Sequence, residues 1–319
     1  MALTKSIRLL FSEILLFWKS DFHALSYTYT FVFISLSIYF NYSYDFYASA
    51  IRGTYFTGDS IWVLPLFYSV VYFAVAIPIL YFQKEENIVK NKVFYFKSLF
   101  FIVLYGFSNG FFDYINWQFP SLSTDERMFT FRIFSQIKGT LIFIIPVLIL
   151  KLTIDRKVEG IYGLTRNSEH LQAYLMLFLI ILPFIILVSF APDFMSAYPQ
   201  YKPWLTGNIF ELPKWLHASF YEISYTLDFV NTELLFRGML VIGMASTLGR
   251  KSVLPMVAMY VAIHFGKPMG ETISSIFGGY ILGALAYQTR HIWGGVIVHI
   301  CIALSMEIMG LLQYYVFSK

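Results

Sequence analysis

The chain has 319 residues, of which 58% are hydrophobic and only 13% are charged, and its formal net charge at pH 7 is +4. Soluble globular proteins carry about 25% charged residues, so this composition excludes most soluble enzyme classes. The apolar runs are continuous rather than alternating, which excludes a transmembrane β-barrel. The small net charge gives no sign of nucleic-acid binding. The composition therefore predicts an all-α, polytopic integral membrane protein that contacts the lipid bilayer and no nucleic acid.

About 20 apolar residues are needed for a helix to cross the hydrocarbon core of a bilayer. By this measure we predict a helical bundle of about eight or nine transmembrane helices. The candidate spans are residues 24–42, 61–83, 95–115, 133–154, 170–191, 214–240, 239–264, 270–289 and 291–316. The sixth and seventh candidates run into each other, and the best break between them is Gly249-Arg250-Lys251. Residues 3–19 combine cationic with apolar side chains, which predicts a helix in the membrane interface.

Lys and Arg are more frequent in the loops that lie inside when the N-terminus is placed inside. This bias favours an odd number of spans with the N-terminus inside. The longest polar break is the predicted outer loop 192–213, which is rich in Pro and aromatic residues. It divides the chain into residues 1–213, N-terminal membrane helices without a diagnosed role, and residues 214–310, which hold most ionisable residues within apolar sequence.

Four ionisable residues in the sixth, seventh and ninth predicted spans are the candidate site. A charged side chain at the centre of a bilayer costs about 2.5–3.5 kcal/mol on insertion scales, so it needs a partner or a hydrated site. Glu233 and Arg237 are four residues apart, which places them on one helix face where they can pair. His264 closes the next apolar run ahead of Pro268, and His299 lies in the middle of the last span. Neutral imidazoles are cheap to bury, and their pKa suits proton transfer near neutrality.

These residues occur in three motifs that resemble those of the CPBP family. This family comprises CAAX proteases and bacteriocin-processing enzymes, also called Abi proteins, and it is similar to the Ras-converting CAAX endopeptidase. The family pattern is Glu-Glu-x-x-x-Arg on one span, Phe-x-x-x-His on the next and His-x-x-x-Asn on a later one. Residues 232–238 resemble the first motif, residues 260–264 the second with Tyr for Phe, and residues 299–303 the third. The resemblance covers roughly residues 214–303.

The chain departs from the family pattern at two positions that matter for activity. Thr232 occupies the place of the first Glu, which in the family is thought to activate water together with the His of the second motif. Ala303 occupies the place of the Asn that, with His299, would stabilise the oxyanion. One residue along a helix is a rotation of about 100°, so Glu233 is not an equivalent replacement for a carboxylate at position 232.

The resemblance implies an intramembrane endopeptidase, formerly classed as a metalloprotease and now viewed as glutamate-type, in a multi-pass protein of the bacterial plasma membrane. Glu233 and His264 would deprotonate the attacking water, His299 would stabilise the oxyanion, and Arg237 would orient Glu233. The partner would be a membrane-associated peptide or protein, such as a segment near a prenylated Cys. No cofactor is expected. Zinc held by Glu233, His264 and His299 is the minor alternative.

Three other functions remain open from the sequence. Thr232 and Ala303 favour a catalytically impaired CPBP pseudoenzyme that acts as an immunity or membrane-assembly factor. Gly106-Phe107-Ser108-Asn109-Gly110 is similar to the serine-protease signature of the rhomboid family, although we interpret it as a polar turn or packing patch. A transporter would use acidic groups such as Glu222 and Asp228, but it should show paired halves, and the sequence contains no internal repeat.

Overall fold

The structure, a computed structural model, describes residues 2–166 and 170–317, and the side chains of residues 7–166 and 170–316. Within these ranges the chain is helical, without a β-strand, so the predicted all-α class is confirmed. The α-helices are α1 Ala2–Asp21, α2 Ala24–Tyr44, α3 Ser60–Phe82, α4 Glu86–Val89, α5 Lys92–Gly110, α6 Thr124–Thr153, α7 Leu171–Val188, α8 Pro192–Ala197, α9 Lys214–Glu233, α10 Ala245–Leu248, α11 Val253–Ala262, α12 Met269–Thr289 and α13 Trp293–Leu312.

Short segments of other helix types join or extend these helices. The π-helical segments are Tyr47–Ile51, Leu234–Gly243 and Gln313–Phe317, and the 3₁₀ segments are Arg52–Phe56, Asp113–Asn116, Pro203–Leu205 and Gly249–Ser252. A π-helix of ten residues is unusual, because π-helices mostly occur as single-turn bulges. The segment Leu234–Gly243 therefore marks a departure from regular helix directly after Glu233.

Six helical stretches in the described part of the chain are long and apolar enough to cross a membrane. They are Ser60–Phe82, Lys92–Asn116, Thr124–Thr153, Leu171–Val188, Lys214–Ala262 and Trp293–Val316. A polytopic membrane bundle is thereby confirmed, but a count of eight or nine spans is not. The predicted spans 24–42 and 270–289 form the helices α2 and α12. Both helices carry several Tyr, Ser or Thr side chains, and α12 also carries Glu271, so they are less apolar than the six stretches named above.

The predicted sixth and seventh spans form the single stretch Lys214–Ala262. The predicted break is confirmed, because Gly249 has a φ of +58° and begins the 3₁₀ turn Gly249–Ser252. The predicted bounds 239–264 are wrong: residues 239–243 continue the preceding π-helix, and α11 has only ten residues. Sequence hydropathy cannot separate two helices that are both apolar throughout.

The most buried elements of the bundle are the π-helix Leu234–Gly243 and α11, in which every residue is buried. Helix α11 packs against α3 and α12, α6 packs against α9, and α13 packs against α7. By contrast, Leu179, Phe184 and Leu187 of α7 are exposed. Exposed apolar side chains on a helix of this hydropathy are what a lipid-facing surface requires, so the protein is an integral membrane protein.

Helix α1 lies against α12 rather than standing apart from the bundle. Phe17 is fully buried, and its ring centroid lies 6.1 Å from that of Tyr280 and 5.6 Å from that of Tyr287. The opposite face exposes Phe11 and Leu16. One buried and one exposed apolar face agree with the predicted interfacial helix, whose contact with lipid stays a prediction.

A buried ion pair joins α5 to the loop that follows α6. The Nζ atom of Lys97 lies 2.7 Å from Oδ1 of Asp155 and donates to the carbonyl oxygen of Gly243 at 2.6 Å. Tyr162 donates its hydroxyl to Oδ2 of Asp155 at 2.9 Å. Burial, followed by the charge of Asp155, raises the pKa of Tyr162, so its hydroxyl stays protonated and donates. This network holds the end of the π-helix Leu234–Gly243.

Candidate active site

The first part of the site is a fully buried ion pair between Glu233 and Arg237. Nη1 of Arg237 donates to Oε1 of Glu233 at 2.7 Å, and both residues are 0% exposed. The guanidinium also lies over the ring of Tyr260, 4.3 Å from its centroid, and Nη2 donates to the carbonyl oxygen of Gly278 at 3.4 Å. The predicted pair therefore forms, and Arg237 is held by contacts with Glu233, Tyr260 and Gly278.

His299 contacts the same carboxylate oxygen from the neighbouring helix α13. Its Nδ1 atom lies 3.0 Å from Oε1 of Glu233. An ionised carboxylate only accepts hydrogen bonds, so Nδ1–H is the donor. The other ring nitrogen, Nε2, lies 3.1 Å from the hydroxyl of Tyr260. In the neutral ring Nε2 accepts that hydroxyl proton. Glu233, His299 and Tyr260 thus form a continuous chain of carboxylate, imidazole and phenol.

His264 lies on the other side of Tyr260, in the loop between α11 and α12. Its Nδ1 donates to the carbonyl oxygen of Tyr260 at 2.7 Å, and its ring centroid lies 4.8 Å from that of Tyr260. The side chain is partly exposed. Because Nδ1–H is held by the carbonyl, the neutral ring keeps Nε2 as a proton acceptor. The structure therefore joins Glu233 directly to Arg237 and His299, and places His264 beside them through Tyr260.

Tyr260 is the site residue that was not predicted from the sequence. It was interpreted only as the residue in place of a Phe in the second motif. In the structure it contacts His264, His299 and Arg237, and it is 5% exposed. The available signal was its hydroxyl, since a buried phenol in an apolar helix needs a polar partner.

The second carboxylate oxygen of Glu233 is free. Oε2 is buried and has no hydrogen-bond partner in the described part of the chain. It points toward Gly295 of α13, where a Cβ atom would clash with it. A buried acceptor without a partner is costly, so Oε2 is the oxygen of this carboxylate that is left for a further donor.

The two departures from the family pattern both lie in buried positions. Thr232 is 9% exposed and Ala303 is 5% exposed. A methyl side chain cannot donate a hydrogen bond, so position 303 contributes nothing to an oxyanion. A donor that the site does contain is the hydroxyl of Tyr260, which lies 3.1 Å from Nε2 of His299.

The set proposed for zinc does not form a compact ligand cluster. No group of three or more His, Cys, Asp or Glu side chains in the described part of the chain is placed to hold a metal ion. Oε1 of Glu233 is already bonded to Arg237 and to His299. Glu233, His264 and His299 therefore do not present three convergent ligand atoms.

The Gly-x-Ser-x-Gly segment at residues 106–110 serves helix packing. A Cβ atom at Gly106 would lie 2.5 Å from the backbone nitrogen of Pro65, and Gly110 is equally close to the backbone of Ser60. The hydroxyl of Ser60 donates to the carbonyl oxygen of Gly110 at 2.6 Å. The glycines thus allow α5 to approach α3, which agrees with the packing interpretation of this segment.

Glu271 lies in the first turn of α12. It accepts the hydroxyl of Tyr198 at 2.8 Å. Burial and the nearby charge of Glu271 raise the pKa of Tyr198, so the phenol stays protonated and donates. This contact ties the loop after α7 to the start of α12.

Fold and site together define a helical membrane protein that holds acid–base groups inside its bundle. Residues 215–305 match the family model described as type II CAAX prenyl endopeptidase Rce1-like, whereas residues 1–214 and 306–319 lie outside the match. The match confirms the resemblance to the CAAX endopeptidases and supports an intramembrane protease at the level of the family. The comparisons with curated proteins and with solved structures give no significant match.

Proposed function

We propose that the protein is an intramembrane endopeptidase that hydrolyses peptide bonds with a water molecule activated by Glu233 and His264. The observation that carries this proposal is the hydrogen-bonded chain of Glu233, His299 and Tyr260 beside His264, within the segment that matches the CAAX endopeptidases. A general base needs an acceptor atom without a competing donor. Nε2 of His264 and Oε2 of Glu233 are such atoms.

In this reaction the water oxygen attacks the carbonyl carbon of the scissile peptide bond. The water proton passes to Nε2 of His264, or to Oε2 of Glu233, and is then delivered to the leaving amine. Arg237 holds the other oxygen of Glu233, so the carboxylate keeps one orientation.

His299 and Tyr260 stabilise the oxyanion that forms on the carbonyl oxygen. No further proton is taken up in this step: the hydroxyl of Tyr260 turns from Nε2 of His299 and donates to the oxyanion, and His299 keeps Tyr260 in place. Preorganised donors of this kind contribute strongly in a dry site. The Tyr260 hydroxyl thereby supplies the hydrogen-bond donor that the methyl side chain of Ala303 lacks.

The substrate that fits this assignment is a peptide presented at the membrane, such as a C-terminal segment next to a prenylated Cys. The expected location is the bacterial plasma membrane. A lipid anchor would concentrate such a peptide at the bilayer that surrounds the site.

The test is cleavage of a library of prenylated and unprenylated peptides by purified protein in nanodiscs. We expect Glu233→Gln and His264→Ala to lower kcat by about 10² to 10⁴, and Tyr260→Phe to lower it by about 10². Glu86→Gln, at an exposed residue outside the site, and Ser108→Ala should cleave as the wild type does. Loss of activity in Ser108→Ala would instead point to a serine enzyme.

Each variant is also assayed with a chelator, because zinc remains the alternative to a glutamate-type site. Activity that survives chelation but not the Glu233 and His264 substitutions supports the proposal. Activity lost on chelation would replace it with a metal-dependent reaction.

A catalytically impaired scaffold that acts as an immunity or membrane-assembly factor is the second candidate. It is favoured by the complete burial of Glu233 and by the absence of a donor at Ala303. Failure of the wild-type protein to cleave any member of the library would select this candidate.

A further inference from the structure

The loop that carries His264 is held by side chains at four consecutive carbonyl groups. The carbonyl oxygen of His264 accepts from the hydroxyl of Thr272 at 2.7 Å, and that of Phe265 accepts from Nδ2 of Asn41 at 3.1 Å. The carbonyl oxygen of Gly266 accepts from Nη2 of Arg52 at 3.3 Å. That of Lys267 accepts from the hydroxyl of Tyr42 at 2.6 Å. Three of the four donors belong to the N-terminal part of the chain.

The donors are connected to one another. The hydroxyls of Tyr42 and Thr272 lie 2.6 Å apart, and either of them can donate to the other. Each hydroxyl has one proton, so the pair donates to two of three acceptors at a time: the carbonyl of Lys267, the carbonyl of His264 and each other. The side-chain oxygen of Asn41 accepts from the backbone N–H of Tyr47 at 3.0 Å, while its amide donates to the loop. Asn41 is 3% exposed. Because the buried amide of Asn41 accepts one hydrogen bond and donates another, it joins the end of α2 to this loop.

These contacts add to the burial of Phe265, which is 7% exposed and packs against Phe67. A cavity of about 190 Å³ lies between the loop and the end of α2, lined among others by Asn41, Tyr42 and Arg52. Helix α11 ends at Ala262 and α12 begins at Met269, and residues 263–267 form a turn in which the N–H groups of Ile263, His264, Phe265 and Lys267 donate to backbone carbonyls. The side-chain donors add contacts at the carbonyl groups of this turn, which carries the imidazole of His264.

We propose that Asn41, Tyr42 and Thr272 are positioning residues for His264, which gives the N-terminal helix α2 a role in the reaction. The proposal rests on the proposed function, in which His264 is the base. Asn41 and Tyr42 lie outside the segment that matches the CAAX endopeptidases. A misplacement of about 1 Å can lower a rate about 10²-fold, so the hydrogen bonds to this loop act on catalysis without touching substrate.

The experiment compares Tyr42→Phe and Thr272→Val with Thr272→Ser, which keeps the hydroxyl. Tyr39→Phe, at an exposed residue of the same helix, is the matched control. Hydrogen–deuterium exchange of residues 263–267 in nanodiscs is measured together with kcat and KM for peptide cleavage. Thermal unfolding confirms that each variant is folded.

We expect Tyr42→Phe and Thr272→Val to increase the exchange rate of the loop roughly fivefold, the effect of losing one hydrogen bond. Their kcat should fall about tenfold or more with KM nearly unchanged, and Thr272→Ser should restore both values. Exchange at the wild-type rate in Tyr42→Phe and Thr272→Val would overturn the proposal, as would faster exchange with an unchanged kcat. If the wild type cleaves nothing, faster exchange still supports the hold on the loop, and the failure falls on the proposed function alone.

Discussion

The chemistry of Glu233 is set by its immediate neighbours. One carboxylate oxygen is shared by Arg237 and His299, and the other faces Gly295 without a hydrogen-bond partner. Complete burial of the pair means that removing either charge leaves the other uncompensated. The position of the unpartnered oxygen requires a glycine at residue 295, because a Cβ atom there would overlap with it.

We expect Gly295→Ala to abolish cleavage, because the new methyl group would displace Oε2 of Glu233 and with it the bonds to Arg237 and His299. Gly270→Ala is the control, since the residue is exposed and a Cβ atom there has no neighbour within 4 Å. Both variants would be assayed for peptide cleavage and for thermal unfolding. Cleavage by Gly295→Ala at the rate of the control would show that Oε2 has room to move.

The π-helix Leu234–Gly243 is the element that distinguishes this site from a regular helical one. It begins directly after Glu233 and wraps around Tyr162, whose carbonyl oxygen would lie 2.5 Å from a Cβ atom at Gly238. The Gly of the Phe-Arg-Gly sequence is therefore needed for close packing on the loop after α6. That packing determines where the neighbouring Arg237 stands.

Gly238→Ala should lower the free energy of unfolding by about 1–3 kcal/mol, the usual cost of overpacking, and should reduce cleavage because Arg237 shifts. Gly53→Ala, where a Cβ atom meets nothing within 4 Å, should leave both quantities unchanged. Chemical unfolding in detergent and the peptide assay measure the two effects. Wild-type stability in Gly238→Ala would contradict the close contact with Tyr162.

Across the whole molecule, buried polar contacts join elements that are distant in sequence. Lys97 and Asp155 are nearly inaccessible, with side-chain exposures of 1% and 7%, and Lys97 also reaches the carbonyl oxygen of Gly243. They connect α5, the loop after α6 and the end of the π-helix. Elsewhere in the bundle, Asn41 and Tyr42 connect α2 to the His264 loop.

Lys97→Met should lower the free energy of unfolding by about 3–5 kcal/mol, because Asp155 would remain as a buried charge without its cation. The control is Lys90→Ala, which breaks the exposed Glu86–Lys90 pair and should change stability by less than about 1 kcal/mol. Thermal and chemical unfolding in the same detergent compare the two variants. Equal stabilities would mean that Asp155 is protonated or hydrated once Lys97 is removed.

The sequence by itself determined the class of fold and most of the candidate site. Apolar runs with few charges have no stable place outside a bilayer, and the spacing of Glu233 and Arg237 puts both on one helix face. Hydropathy did not determine the number of spans. The helices α2 and α12 are less apolar than the other long helices, and α9 to α11 form one continuous apolar stretch. Nor did local spacing predict the contacts of Tyr260, the free oxygen of Glu233 or the hold of α2 on the His264 loop. Those contacts join residues up to 230 positions apart, and only tertiary packing decides which distant side chains meet.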